Sequence, residues 1–528
     1  MDSNLENVDN LVAGNAGSRY VSMAVTMLLG FVLTPFLIHS IGKAAYGLQS
    51  LSHQALEFIT MATAAVGISY DRLAATLYAR GEIKRMNATL SAGLALSVSG
   101  AVIVLAGTAV LASLAGFLFD LPPAMVPTAR WVLAICGVGA ACHIVNTVFR
   151  SPVFITKRLY LEAFGSVIGG VSAAALVVPL FLLTGPSIVT WVALSIGTRV
   201  LSQWFFTIPM ARKGFDELHI RLFAPGYRAE MRKLLSFSSL TLIGSVGNLL
   251  YFATDSIMIA NLDALGITQV ANYNVAQRWY PQVLMLATGF VGVLGPVMTE
   301  HAAMGRLDHL RKTVVGAVRH TYVILTPPCL LLVLYARPFL EHWLKRAFVP
   351  QSVPVMQLVM GGLLLSGIGF VSIETLYACR RIKGVVVATL IGGALNVVLS
   401  IGLVVYGGLG LTGIALGSVV SLLLLGVFCA PYFLFRRLEL RPWEPLRGAL
   451  RGLAGAPPLA VAAWLLQRWW APGSLGAVFV HFALCSLVYA AAAWGLAMTP
   501  GDRAGMLKAV RSGLAYWRKR RERGKGDA

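Results

Sequence analysis

The stretch YFATDSIMIANL, residues 251–262, sets a carboxylate, Asp255, inside an otherwise apolar helical run. A charge at mid-helix depth in a bilayer costs roughly 2.5 to 3.5 kcal/mol on insertion scales, so such a residue faces a partner or a watery cavity. Two kinds of chemistry are open to it: taking up a proton or ion, and pairing with a guanidinium. The second is offered by Arg278 in VANYNVAQRW. Both residues fall in the outer halves of their helices, about 9 to 12 Å from the boundary. A structural ion pair joining the hairpin is one reading; charges facing a hydrated cleft are the other. His53 and Glu57 stand at i and i+4 and can share a proton. Glu374, near the inner end of a helix, and Arg199, midway along another, are single charges with local partners expected.

Such residues need a membrane bundle to position them. Of the 528 residues 57% are hydrophobic and 12% charged, with a mean hydropathy of +0.74. That is the composition of an integral membrane protein. Fourteen apolar runs, at 17–39, 47–70, 88–117, 125–148, 159–183, 187–209, 234–261, 270–298, 317–336, 354–378, 384–406, 410–435, 452–470 and 475–498, are each long enough to cross a core of about 30 Å. With the N-terminus inside, the inner loops and tail hold 34 of the 43 Lys and Arg residues, so both termini are expected in the cytoplasm. The first seventeen residues are acidic and polar, unlike a signal peptide, and the first span is expected to serve as an uncleaved insertion signal.

Internal similarity divides the chain. ITKRLYLEAFGSVIGG (155–170) aligns with ACRRIKGVVVATLIGG (378–393), the glycines 185 and 408 open equivalent turns, and Tyr46 matches Tyr273. Six helices separate matching positions, so the copies enter the membrane in the same sense, as in the parallel repeats of secondary transporters. The expected fold is therefore all-α, with two pseudo-symmetric six-helix lobes around a central cavity and two extra C-terminal helices. Residues 1–212 form the first lobe, 213–233 a cytoplasmic linker, 234–436 the second lobe, 437–499 the two extra helices and 500–528 a basic tail.

Polar residues gather on the first two helices of each lobe. The seventh span collects Ser238, Thr241, Ser245, Asn248, Asp255 and Ser256 within about 100°, and the first collects Asn15, Arg19, Ser22 and Thr26. The second carries Gln49, His53, Gln54 and Glu57, and the eighth Asn274, Gln277, Arg278 and Gln282. Two lobes facing a hydrated cleft account for this; hydrogen bonding between packed helices is the alternative. Pro35, Pro281, Pro296, Pro327 and Pro328 can bend the helices concerned.

Several function classes drop out. The +21 charge flanks membrane helices and ends in YWRKRRERGKGDA, which suits anionic headgroups rather than nucleic acid. The six cysteines lack CxxC or histidine neighbours and indicate neither disulfides nor a metal site. GLGLTG (408–413) formally matches GxGxxG but lies in a turn between membrane helices, and a GxxxxGK[ST] loop is missing, so no nucleotide or other cofactor is implied. The outer connectors reach only about 17 residues, too short for a lipid-linked sugar polymerase with a large loop. An enzyme is not expected.

NAGSRYVSMAVTMLLGFVLTPFLIHSIGKAAYGLQSL, with an early Arg, a late Pro and an IGxxxYGL turn, resembles the Wzx-type polysaccharide-export flippases. These belong to the multidrug, oligosaccharidyl-lipid and polysaccharide exporter superfamily. TDSIMIANL followed by VANYNVAQRW resembles that family's seventh helix and eighth-helix start. The resemblance covers about residues 10–436. It implies translocation of an undecaprenyl-pyrophosphate-linked glycan across the bacterial inner membrane by alternating access, for cell-surface polysaccharide synthesis. It also implies polymerase machinery as a partner and a cationic lumen holding the headgroup. Arg278, Arg19 and Arg199 are then the lumen contacts, beside Asn248, Asn274 and Gln277, with Asp255, Glu57, His53 and Glu374 in ion coupling. An ion-coupled drug or metabolite antiporter of the same superfamily, a lipid II flippase and a non-transporting scaffold are the alternatives.

Overall fold

The computed structural model describes residues 2–504 apart from 157, 159, 214–219, 223 and 345. Side chains of 2–17, 19, 20, 62–66, 68, 69, 72, 79, 210–213, 236–245, 248 and 252 are also outside the description. The linker expected at 213–233 and the tail at 500–528 thus lie partly outside the described residues, as do the side chains of Ser238, Thr241, Ser245 and Asn15.

Every predicted span falls on helical backbone, and no strand occurs among the described residues. The principal helices are α1 (Asp2–Ile41), α2 (Lys43–Ala79), α3 (Ile83–Ser113), α4 (Val126–Ile155), α5 (Tyr160–Thr184), α6 (Ile188–Lys213) and α7 (Tyr227–Phe252). Next come α8 (Thr254–Asn261), α9 (Ile267–Gln277), α10 (Tyr280–Ala303), α11 (Leu307–Leu334), α12 (Ala336–Leu344), α13 (Val349–Leu365) and α14 (Gly367–Ala378). The last are α15 (Lys383–Val405), α16 (Gly410–Leu423), α17 (Ala430–Leu438), α18 (Trp443–Gly452), α19 (Ala456–Trp469) and α20 (Leu475–Ala492). Among the described residues, 11 helices are long and apolar enough to cross a membrane.

Three predicted spans are interrupted well inside their length. The seventh breaks at Ala253 between α7 and α8, and the tenth at Ser366 between α13 and α14. The eighth breaks between α9 and α10, where Pro281 sits in the first turn of the restarted helix, the position at which a missing N–H is harmless. The connector after α11 holds one helix the sequence reading lacked. In α12 the run ARPFLEHWL buries Phe339, Leu340, Trp343 and Leu344 along one side, so a connector becomes an amphipathic helix.

The chain forms two compact units: residues 1–276 with 389–421, and 277–388 with 422–528. This division follows packing, whereas the lobes expected above follow sequence symmetry. In the first unit α2, α3, α4 and α6 pack together, α5 lies on α6, α1 on α5, and α7 on α2 and α3. The two IGG triplets have the same task there. A Cβ at Gly170 would come within 3.1 Å of Leu29 on α1, and one at Gly393 within 2.6 Å of Leu250 on α7, so each triplet lets its helix approach the first helix of its own repeat copy. In the second unit α11 is central, packed by α10, α13, α14 and α18 around Val314, Val318, Tyr322, Val371 and Leu434.

Candidate functional site: a buried carboxylate held by neutral donors

Asp255 is the second residue of α8, two positions past the break at Ala253, and is completely buried. The break frees carbonyls of the last turn of α7, and Asn396 of α15 fills part of that need: its Nδ2 donates to the carbonyls of Leu250 at 3.3 Å and Tyr251 at 3.2 Å. The same nitrogen lies 3.3 Å from Asp255 Oδ1. One amide therefore both holds the kink and contacts the carboxylate. Glycines make this approach possible, since a Cβ at Gly392 would collide with the Tyr251 hydroxyl, which donates to the Ser421 carbonyl at 3.1 Å.

The other donors come from α9 and α16. Tyr273, also fully buried, donates its phenol to Asp255 Oδ2 at 2.5 Å. Ser418 Oγ lies 3.1 Å from the same oxygen and 3.1 Å from Asn396 Oδ1, which Ser400 also reaches at 3.1 Å. A serine hydroxyl has one proton and cannot serve both acceptors. With Ser400 donating to Asn396 Oδ1, the Ser418 proton is left for Asp255, and only the carboxylate's charge is unmet, for a proton or a cation to take. A bare anion in this place would cost several kcal/mol, and the three contacts are all neutral. The arrangement is suited to binding and releasing one positive charge.

A separate hydrogen-bonded chain runs through the neighbouring residues Ser256 and Asn274. Asn274 donates from Nδ2 to Ser256 Oγ at 2.9 Å and accepts from Gln54 Nε2 of α2 at 3.1 Å. Thus Asn274, expected to touch substrate, is occupied with helix-to-helix bonding.

The remaining expected site residues are spread out. His53 Nε2 and Glu57 Oε1 are 3.8 Å apart on an exposed side of α2, with side chains 75% and 47% exposed. Arg199 is exposed on α6, where Gly169 of α5 packs so tightly that a Cβ would stand 2.9 Å from the Arg199 Cα. Gln277 ends α9, Arg278 lies in the break that follows, and both are half-buried. Both belong to the second compact unit, and Asp255 to the first. Glu374 of α14 is half-buried against α10, where a Cβ at Gly295 would lie 2.7 Å from its Oε1. The side chains of Arg19 and Asn248 lie outside the described residues. Among the described residues, no group of three or more His, Cys, Asp or Glu side chains could hold a metal ion.

A second ionisable cluster, absent from the sequence reading, joins α2, α4 and α5. Arg150 donates to Asp71 Oδ2 at 3.2 Å and to Glu162 Oε1 at 2.9 Å, and Ser151 donates to the other oxygen of Asp71. Beside it, His143, Asn146, Glu162, Gln203 and Thr207 line a cavity of about 10 Å³, room for about one water molecule. Asp71 and Arg150 fall just beyond the apolar runs 47–70 and 125–148, because α2 and α4 extend further than those runs.

Comparison with known proteins fits this architecture. The chain matches the model of the family described as lipid II flippase MurJ over residues 138–484. It is 26% identical over 460 residues to the uncharacterized membrane protein EpsK of Bacillus subtilis (strain 168), covering 86% of this chain and 88% of that one. A solved structure of lipid II flippase MurJ, inward closed conformation, superposes with a TM-score of 0.66 at 14% identity, covering 90% of this chain and 96% of the other. An inward-facing multidrug resistance MATE family transporter of the MOP superfamily gives 0.66 at 16% identity, covering 79% and 95%. At such identities the two structures attest the fold alone. The family match spans well over half of the chain, and this multi-pass membrane protein belongs to the MurJ family of flippases.

Proposed function

We propose that the protein translocates a polyprenyl-pyrophosphate-linked oligosaccharide across the bacterial inner membrane by alternating access, for cell-surface polysaccharide synthesis, with both termini in the cytoplasm. The observation that carries the reading is the Asp255 cluster, a completely buried carboxylate among neutral donors in a chain of the MurJ family. Taking up a proton or cation there changes the cost of packing α7, α8, α15 and α16 together, and so biases one conformation of the bundle over another. Arg278, Arg19 and Arg199 are the arginines for the pyrophosphate, with Gln277, Asn248 and Asn274 beside them, and Glu57, His53 and Glu374 are further coupling groups. The basic tail takes anionic inner-leaflet lipids, and the polymerase machinery receives the product.

The family's description favours a second reading, in which lipid II itself is carried. Depleting the protein in its native host and identifying the lipid-linked glycan that builds up on the cytoplasmic leaflet decides between them. A peptide-free oligosaccharide supports the first reading and lipid II the second. No build-up together with increased drug sensitivity would instead favour an antiporter.

A further inference from the structure

Tyr273 and Asn274 are neighbours on α9, and they face different tasks. Tyr273 bonds Asp255, while Asn274 bonds Ser256 and, through Oδ1, the Gln54 amide of α2. Two turns earlier the same two helices meet backbone to backbone: a Cβ at Gly47 would lie 2.4 Å from the Ile267 carbonyl and 3.3 Å from the Ala271 nitrogen. Only glycine permits that seat. The contacts 47 with 267 and 54 with 274 advance together, so α2 and α9 run side by side in the same sense. Gly42 and Gly266, with φ of 85° and 86°, turn the chain into them at one end of the bundle. By the sequence repeat, α2 belongs to the first copy and α9 to the second.

From this juxtaposition we infer that Gln54 and Asn274 form a latch closing the two repeat copies at the Gly42 and Gly266 end, and that Tyr273 makes the latch answer to the state of Asp255. The latch is slight: Gln54 Oε1 is buried without a hydrogen-bond partner, so one amide bond joins the pair. Interhelical bonds of that kind are weak enough to open on each cycle. The Tyr273 phenol bonds a charged carboxylate most strongly, and neutralising Asp255 with a proton or cation weakens that bond. Residue 273 then loses its anchor, residue 274 shifts with it, and the amide pair parts. The coupling half of this inference rests on the reading of Asp255 as the coupling group; the latch half does not.

The test is a distance measurement on the full-length protein in lipid nanodiscs, with spin labels at Ala44→Cys and Thr268→Cys and no substrate present. Gln54→Ala and Asn274→Ala should each raise the fraction with separated helix ends about fivefold or more. Tyr273→Phe and Asp255→Asn should do the same with the amide pair intact. The exchanged pair Gln54→Asn with Asn274→Gln keeps the combined side-chain length and should restore the closed distance. Unchanged distances in Gln54→Ala and Asn274→Ala overturn the latch, as does an exchanged pair that stays open. Opening in those two but not in Tyr273→Phe or Asp255→Asn overturns the coupling. The readout needs no transport, so failure of the substrate assignment would leave it standing.

Discussion

Asp255 and Asp71 are the same side chain at nearly the same burial, 0% and 5% exposed, in the same compact unit, yet they are held in opposite ways. Asp71 has a permanent counter-charge in Arg150, which also binds Glu162, and a serine fills its second oxygen. Asp255 has a phenol, an amide and a hydroxyl. An arginine is never discharged, so the first arrangement fixes three helices together at every stage of a cycle. Neutral donors leave the charge of the second to be met by something that can come and go. Burial alone does not separate the two carboxylates; the nature of their partners does.

The sharpest way to break this contrast is Asp255→Asn, expected to reduce glycan translocation in proteoliposomes to background while changing thermal stability by no more than about 1 kcal/mol, because a neutral amide of the same size removes a buried charge as it weakens the bond to Tyr273. If transport continued, Asp255 would be as structural as Asp71. Arg150→Met should show the reverse. It leaves Asp71 and Glu162 without their cation and should destabilise the fold by about 3 kcal/mol, read as a lower melting temperature in detergent, whatever remains of transport. Equal stability to the parent would remove the claim that this cluster is a fixed brace.

Glu57 sharpens the contrast from the exposed side. With its side chain 47% exposed next to His53, Glu57→Gln should alter stability by less than about 0.5 kcal/mol, so any loss of transport it causes would mark a second coupling group rather than a folding defect. The smallest effect is expected at the end of the described chain, in another paired carboxylate. Asp502 accepts from Arg319 at 2.6 Å and from the Thr499 hydroxyl and N–H at 2.6 and 2.8 Å. Burial pushes its carboxyl upward, but the Thr499 bonds and the Arg319 and His320 charges outweigh it and hold it below the ordinary carboxylate range. Its contribution is thus present above the unfolded value, near 4, and is lost as the pH falls through the lower folded value. Hydrogen exchange at 499–504 should rise on that acid side, and Asp502→Asn should remove the pH dependence.

Much of this was legible in the chain. An apolar run has to bury its backbone polarity in a helix when it crosses lipid, so each of the spans falls on helix without knowledge of its neighbours. The repeat's IGG triplets were visible for a related reason, since close helix approach needs small residues at fixed positions. Asp255 stood out by its cost. Its partners did not: Asn396 and Ser418 lie more than 140 positions away in sequence, and nothing local distinguishes them from polar residues that bond their own helix. Their only signal was a polar residue in an apolar span, which many inert serines share.

The sequence by itself determined that this is a helical membrane protein, where its helices run and that one carboxylate among them needs an explanation, because lipid penalises polar groups one at a time and locally. Only the tertiary structure decided that Asp71 meets a guanidinium while Asp255 meets neutral donors, because which side chains meet depends on how α7, α8, α9, α15 and α16 fold back on one another.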